Sequence, residues 1–364
     1  MMMRSTILVK VNFMNVTQKN KSRVLVVVCV LLTLCASALL FVPSARADTV
    51  PVNGSFVGGL SGWLCYLCAS DTTWNATAGN GGSGAAQAPN SYLLSTPFLV
   101  SGSSSLSYYP KCVTASFCGQ HVYVFDWTGS SITNIVTFSG ITNSHVEHTQ
   151  SLSSFAGHVV SIAFREQYEV SWVSSVSVSN ATLVGGEYYR GVFDGGDDYW
   201  ISVNGCGGAW SAVEGHDGAG SLSVSGTCTH TFASMMLVGQ STTWDAWVKG
   251  GNNLDFQVGV WDFETGNKAF TGVVNQDNYD AGGVWQGFNF GLSTFGSHPL
   301  LFSVFVDTQG SGTIYLDDFC PSWGCDSYLN GTPTATAIPS STPLPTWTPN
   351  YNFPTPIYGD GTPV

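Results

Sequence analysis

The chain has 364 residues with a formal net charge of −12, and only 9% of them are charged, against 42 glycines and 12 tryptophans. Six of the eleven Lys and Arg precede residue 48 and all 23 Asp and Glu follow residue 47, so from Asp48 on five cations face 23 anions, a net charge of −18. Such a field repels phosphate backbones and anionic lipid, which makes nucleic acid and acidic membrane poor partners and leaves a neutral ligand or a cation as better ones.

In chain order, Lys10, Lys19, Lys21 and Arg23 come before an apolar run from Val24 to Val42, and Pro43-Ser44-Ala45-Arg46-Ala47 closes it. Basic flank, apolar core and small-residue A-x-A site together read as a signal peptide over 1–47. The expected product is extracellular, secreted or cell-surface associated. A membrane enters only if the apolar segment is retained, since its length just suffices to span a bilayer.

The remainder is written twice. Asn53-Gly-Ser-Phe-Val-Gly-Gly-Leu-Ser-Gly-Trp63 matches Arg190-Gly-Val-Phe-Asp-Gly-Gly-Asp-Asp-Tyr-Trp200 at an offset of 137. Further blocks follow in the same order: His121–Asp126 with Gln257–Asp262, Leu152–Phe155 with Leu292–Phe295, and Val176–Asn180 with Ile314–Asp318. Ordered matches of this kind indicate a tandem duplication, with a first repeat over 48–185 and a second over 186–331, each of single-core size.

Both repeats read as all-β. Valine, threonine and aromatic residues dominate between glycine- and serine-rich turns, and no stretch of helical length shows a 3.6-residue stripe. Val122 and Val124 alternate with His121, Tyr123 and Phe125, as Val258 and Val260 alternate with Gln257, Gly259 and Trp261. The valines face the core and their neighbours face away.

Eight cysteines fall four to a repeat: Cys65, Cys68, Cys112 and Cys118, then Cys206, Cys228, Cys320 and Cys325. In an exported chain an even count per repeat predicts disulfides, and each set of four allows three connectivities. Short loops favour Cys206–Cys228 with Cys320–Cys325, and Cys112–Cys118 with Cys65–Cys68. Residues 332–364 carry eight of the 15 prolines and five Thr-Pro pairs, the composition of an extended linker or stalk.

The opening N-G-x-F-x-x-G-x-x-x-W, the mid-repeat Leu152-Ser-Ser-Phe-Ala-Gly157 and the closing Ile314-Tyr-Leu-Asp-Asp318 resemble the jelly-roll carbohydrate-binding modules of families four, nine and twenty-two, within the galactose-binding-like superfamily. The resemblance covers about residues 50–325. It implies two antiparallel β-sandwich domains in tandem, with first and last strands side by side. It also implies a structural calcium held by Asp194, Asp317 and Asp318 in the second repeat. The first repeat has Val57 and Ser179-Asn180 at those places and is expected to have lost the ion.

For function, sugars offer apolar C–H faces to aromatic rings and hydroxyls to polar side chains. On that logic Trp261 with Gln257 and Asp255, and Trp247 nearby, form the expected glycan-binding face. His121, Tyr123 and Phe125 form a weaker counterpart in the first repeat. Trp63 and Trp200, at matched positions, are expected to fill the core. His145, Glu147 and His148 lack zinc-site spacing and read as surface polar residues. Cys65-Tyr-Leu-Cys68 reads as a structural bridge. No nucleophile elbow or paired-carboxylate signature appears, so a non-catalytic carbohydrate-binding protein is expected, with a structural display or adhesion protein as the alternative.

Overall fold

A computed structural model describes residues 50–67, 73–87, 91–113, 118–166, 171–184, 189–190, 200–204, 208–216, 220–225, 229–237, 243–250, 255–270, 274–275, 283–292, 295, 298–307, 313–321, 326–327 and 346–347. The first repeat contains β1 (Trp63–Tyr66), β2 (Thr73–Asn75), β3 (Ala85–Gln87), β4 (Tyr92–Ser95) and β5 (Phe98–Cys112). It continues with β6 (Cys118–Asp126), β7 (Ser131–Ile141), β8 (His148–Ser151), β9 (Val159–Glu166) and β10 (Ser171–Leu183).

The second contains β11 (Tyr189–Arg190), β12 (Trp200–Asn204), β13 (Gly208–Ser211), β14 (Ser221–Ser225), β15 (Thr229–Leu237), β16 (Thr243–Lys249) and β17 (Asp255–Asp262). After these come β18 (Lys268–Phe270), β19 (Val274–Asn275), β20 (Gln286–Gly291), β21 (Pro299–Asp307), β22 (Thr313–Pro321) and β23 (Asp326–Ser327). A last strand, β24 (Thr346–Trp347), pairs in parallel with Asn289–Phe290 of β20, so the proline-rich tail touches the second repeat there. Among the described residues there is no α-helix.

Each repeat is an antiparallel sandwich of two layers. In the first, β1-β4-β9-β6-β7 form one layer and β8-β5-β10-β3-β2 the other; β5 joins them by pairing with β9 through Phe98–Leu99. In the second, β12-β15-β21-β17-β18 face β13-β14-β22-β16-β20. Val122, Val124, Leu106, Tyr108, Val176 and Phe164 share the first core; Val258, Val260, Trp244, Val248, Ile314 and Phe302 share the second. The alternation read from the sequence therefore points the valines correctly. Trp63 is 1% exposed against Phe56, and Trp200 is 2% exposed against Phe319, as expected of core fillers.

The opening motif lies on the closing strand. Val176 N–H donates to the Gly54 carbonyl at 2.8 Å, and a Cβ at Gly54 would strike the Val176 carbonyl oxygen, so only glycine fits. In the closing strands Asn180 and Asp318 both adopt left-handed backbone, φ 53° and 47°, each at a register shift in its strand. Asn and Asp tolerate that conformation better than other side chains with a Cβ. Cys112 and Cys118 are bridged, with Cα atoms 5.9 Å apart, and Cys65 is also in a disulfide. Cys68, Cys206, Cys228 and Cys325 lie outside the described residues, and of Cys320 only the backbone is described.

A third apolar cluster joins the repeats. Leu64, Tyr66, Leu94, Phe125, Trp127 and Val159 from the β1-β4-β9-β6 layer pack with Ile201, Trp261, Phe263, Phe270, Leu301 and Phe305 from the β12-β21-β17-β18 layer. Tyr66 Oη and Ser303 Oγ are 2.5 Å apart, and Gly62 N–H donates to the Phe263 carbonyl at 2.8 Å. Four sheets thus stack in sequence, two inner ones meeting at the seam and two outer ones facing solvent. A matched pair of turn locks flanks the seam: Asp126 Oδ2 lies 2.7 Å from His158 Nδ1, and Asp262 Oδ2 lies 2.8 Å from His298 Nδ1. Asp262's hydrogen bond holds His298 above its usual pKa.

Candidate functional site

The expected glycan face on β17 is not a surface. Trp261 is 3% exposed and Gln257 is completely buried, because the side of β17 turned away from its own core is covered by the first repeat. Trp261 packs edge-on against Tyr66 at 5.2 Å and against Phe270 at 5.3 Å. Of Asp255 only the backbone is described, paired with Asn275 and Asp307. The same correction applies to the first repeat: Phe125 is buried in the seam, Tyr123 is half-buried at its margin against Tyr92, and His121, equally half-buried, meets Thr137 and Asn134. At the rim of the seam, Trp261, Trp63, Glu264, Thr265 and Lys268 line a cavity of about 400 Å³.

Trp247, the fourth aromatic expected at the site, stands elsewhere. On β16 Trp244, Ala246 and Val248 are buried in the core, so Asp245, Trp247 and Lys249 project from the outer sheet into solvent. Trp247 is half-buried, with His216 stacked on its ring at 3.6 Å and 14°, and Trp285 meets that imidazole edge-on at 6.0 Å. Polar pairs frame the cluster. Lys249 Nζ binds Glu214 Oε2 at 2.6 Å and lies 5.9 Å from the Tyr315 ring, while Asn289 Nδ2 donates to Asp245 Oδ1 at 2.7 Å. Burial pushes the Asp245 carboxyl up, partly offset by that hydrogen bond. Aromatic rings beside fixed donors and acceptors can stack on a sugar face while exchanging hydrogen bonds with its hydroxyls.

Asp317 and Asp318 hold this cluster in place. Asp317 Oδ2 accepts the His216 N–H at 2.7 Å, Asp317 Oδ1 accepts the Asp318 N–H at 2.8 Å, and Asp318 Oδ2 lies 2.7 Å from His216 Nδ1. A calcium ion asks for oxygen ligands turned toward it. Three carboxylate oxygens turned toward nitrogen do not fit that requirement, and Asp194 lies outside the described residues. No group of three or more metal-ligating side chains occurs among the described residues.

His216, Trp285, Asn289, Glu214 and Tyr315 were not singled out in the sequence. For Tyr315 the signal was available, since it alternates with Ile314 and Leu316 and sits directly opposite Lys249. His145 bonds the Ala78 carbonyl and His148 stacks on Tyr108, so these two histidines do not gather into one site.

No family model matches the chain, and no curated protein resembles it significantly. Among solved structures it is similar to the N-terminal CBM22-1–CBM22-2 tandem domain of Xyn10C from Paenibacillus barcinonensis, at 14% identity and TM-score 0.31, covering 76% of this chain and 98% of that one. It is similar to TmCBM61 in complex with β-1,4-galactotriose at 14% identity and TM-score 0.28, covering 36% of this chain and 89% of that one. A Family 16 carbohydrate-binding module-2 gives 19% identity and TM-score 0.27, covering 35% and 94%. Overlaps of this size identify no ligand, and the chemistry of the site rests on this chain's own side chains.

Proposed function

We propose that the protein is a secreted, non-catalytic carbohydrate-binding protein whose second repeat presents a glycan platform on its outer sheet. The observation that carries this reading is the half-exposed Trp247, backed by His216 and neighboured by Trp285, between the Lys249–Glu214 and Asp245–Asn289 pairs. A sugar docking there gains on the order of 1 kcal/mol per stacked ring beyond area burial, so a single site is weak and favours a polymer. The net charge of −18 from residue 48 on suits a neutral polysaccharide over an acidic one. Export through residues 1–47 places the protein where such polymers occur.

The test is a pull-down of the full secreted chain on insoluble neutral polysaccharides, alongside Trp247→Ala. Binding should fall at least several-fold in the variant while its melting curve stays cooperative. If the chain binds none of the polymers, or if Trp247→Ala binds as well as the parent, the reading fails and the structural display protein replaces it.

A further inference from the structure

The outer sheet of the first repeat carries the same arrangement in other residues. Tyr109 and Lys111 on β5 stand 138 residues before Trp247 and Lys249 on β16. Strand register supports the match. Ser105 pairs with Ser151, which precedes Leu152; Thr243 pairs with Gly291, which precedes Leu292. Both leucines head the Leu-Ser-x-Phe block.

Across the neighbouring strand Lys111 lies opposite Trp172, as Lys249 lies opposite Tyr315. This holds although the closing strands are related by an offset of 143 residues, five more than β5 and β16, so an aromatic is kept beside the lysine in both repeats. A glutamate completes both sets. Glu147 accepts from Ser107 Oγ at 2.7 Å and hydrogen-bonds Tyr109, as Glu214 pairs with Lys249. Tyr109, Lys111 and Trp172 are all half-exposed, whereas the residues between them, Tyr108, Pro110, Cys112 and Val173, are buried.

Direction then decides what two such faces do. Because the inner sheets meet at the seam, the outer sheets are the first and last of four stacked layers and look away from each other. Packed sheets lie about 10 Å apart, so the two faces are separated by roughly 30 Å of protein. The seam is a continuous apolar cluster, and the faces cannot swing round onto one side without breaking it.

We propose that Tyr109, Lys111 and Trp172 form a second glycan-binding site, opposed to the Trp247 site, so that one molecule joins two separate neutral polysaccharide chains. This rests on the glycan-binding reading and adds to it. Binding sites on one side of a tandem raise the hold on a single strand through effective concentration. Opposed sites convert the same two contacts into a cross-link.

The experiment adds full-length secreted protein to soluble β-glucan, xylan and galactan, one at a time, and reads turbidity against protein concentration. Calorimetry with a hexasaccharide of the polymer that responds gives the number of sites. The parent should take two hexasaccharides per chain, and its turbidity should rise and then fall as protein saturates the polymer. Tyr109→Ala and Lys111→Gln should each keep the Trp247 site, drop to one hexasaccharide and lose turbidity; Trp247→Ala should do the same from the other side. Melting curves separate these losses from unfolding, and Lys111→Gln, with an exposed polar replacement, serves if Tyr109→Ala does not fold. A parent that binds one hexasaccharide, without turbidity and without response to the Tyr109 or Lys111 change, overturns the bridging proposal and leaves the glycan reading standing. Turbidity that survives loss of Tyr109 also overturns it. A parent that binds no hexasaccharide and no polymer overturns both.

Discussion

Trp261 and Trp247 belong to the same repeat, on strands of its two opposite sheets, and each points away from the core of its own sandwich. One is 3% exposed and the other is half in water. The difference is that the inner sheet finds another sheet to cover it and the outer sheet does not. Facing away from one's own core is a statement about a domain, whereas exposure is a statement about the whole molecule. Trp261 is therefore a stability residue and Trp247 a candidate recognition residue.

The largest test of that contrast is Trp261→Ala, which should cost about 3–5 kcal/mol, the usual range for emptying a buried tryptophan site. Chemical denaturation monitored by tryptophan fluorescence checks it. A cost below about 1 kcal/mol would mean that the seam does not hold.

Next in size is Glu166→Gln, which asks whether the seam passes stability between repeats. Burial raises the Glu166 carboxyl to about 7, with the Ser171 N–H hydrogen bond opposing the rise. The folded chain therefore binds this proton more tightly than the unfolded chain. Its favourable contribution is present below the unfolded pKa near 4.5 and fades as pH climbs to about 7. Glutamine stays neutral, so at pH 8 the variant should be more stable by on the order of 3 kcal/mol, with little gain at pH 4. With a coupled seam the unfolding of the second repeat shifts too; a shift confined to the first repeat would break the comparison.

A smaller effect, about 1 kcal/mol, is expected from Tyr66→Phe, which removes the hydroxyl that meets Ser303 across the seam. Denaturation midpoints should fall without a change in slope. Smallest of all should be Trp247→Ala, within about 1 kcal/mol in stability because its site is partly open to water. The same variant should show the greatest loss in polysaccharide binding, and this inversion of ranks between the two tryptophans is the sharpest form of the comparison.

Much of the fold could be read before the structure was described. The duplicated opening motif placed Trp63 and Trp200 in their cores, and the two-residue period assigned Val122, Val124, Val258 and Val260 to the inner side. Spacing also picked out Cys112 with Cys118. What alternation could not supply is the covering of the other side, since a period of two says which residues share a face and nothing about what lies beyond it. The signal was in the strands themselves. Val159-Val-Ser-Ile-Ala-Phe164 and Leu300-Leu-Phe-Ser-Val-Phe-Val306 are apolar with little interruption, as strands buried on both faces are. Read that way, β9 and β21 mark an inner sheet in each repeat, and the expected site shifts to the strands that do alternate. The hydrogen bonds of the Asp317-Asp318 pair to His216 were not legible for a different reason: carboxylates suit hydrogen-bond donors as well as cations, and the loop bearing His216 is distant in sequence.

The seam also has a symmetry of its own. Leu64 and Ile201, Phe125 and Trp261, Trp127 and Phe263 are partners by repeat position, and both members of every pair lie in the same shared cluster. A surface that meets its own equivalent is the mark of a two-fold homodimer. Here the two equivalent surfaces belong to one polypeptide. Holding both halves in one chain makes that association independent of concentration.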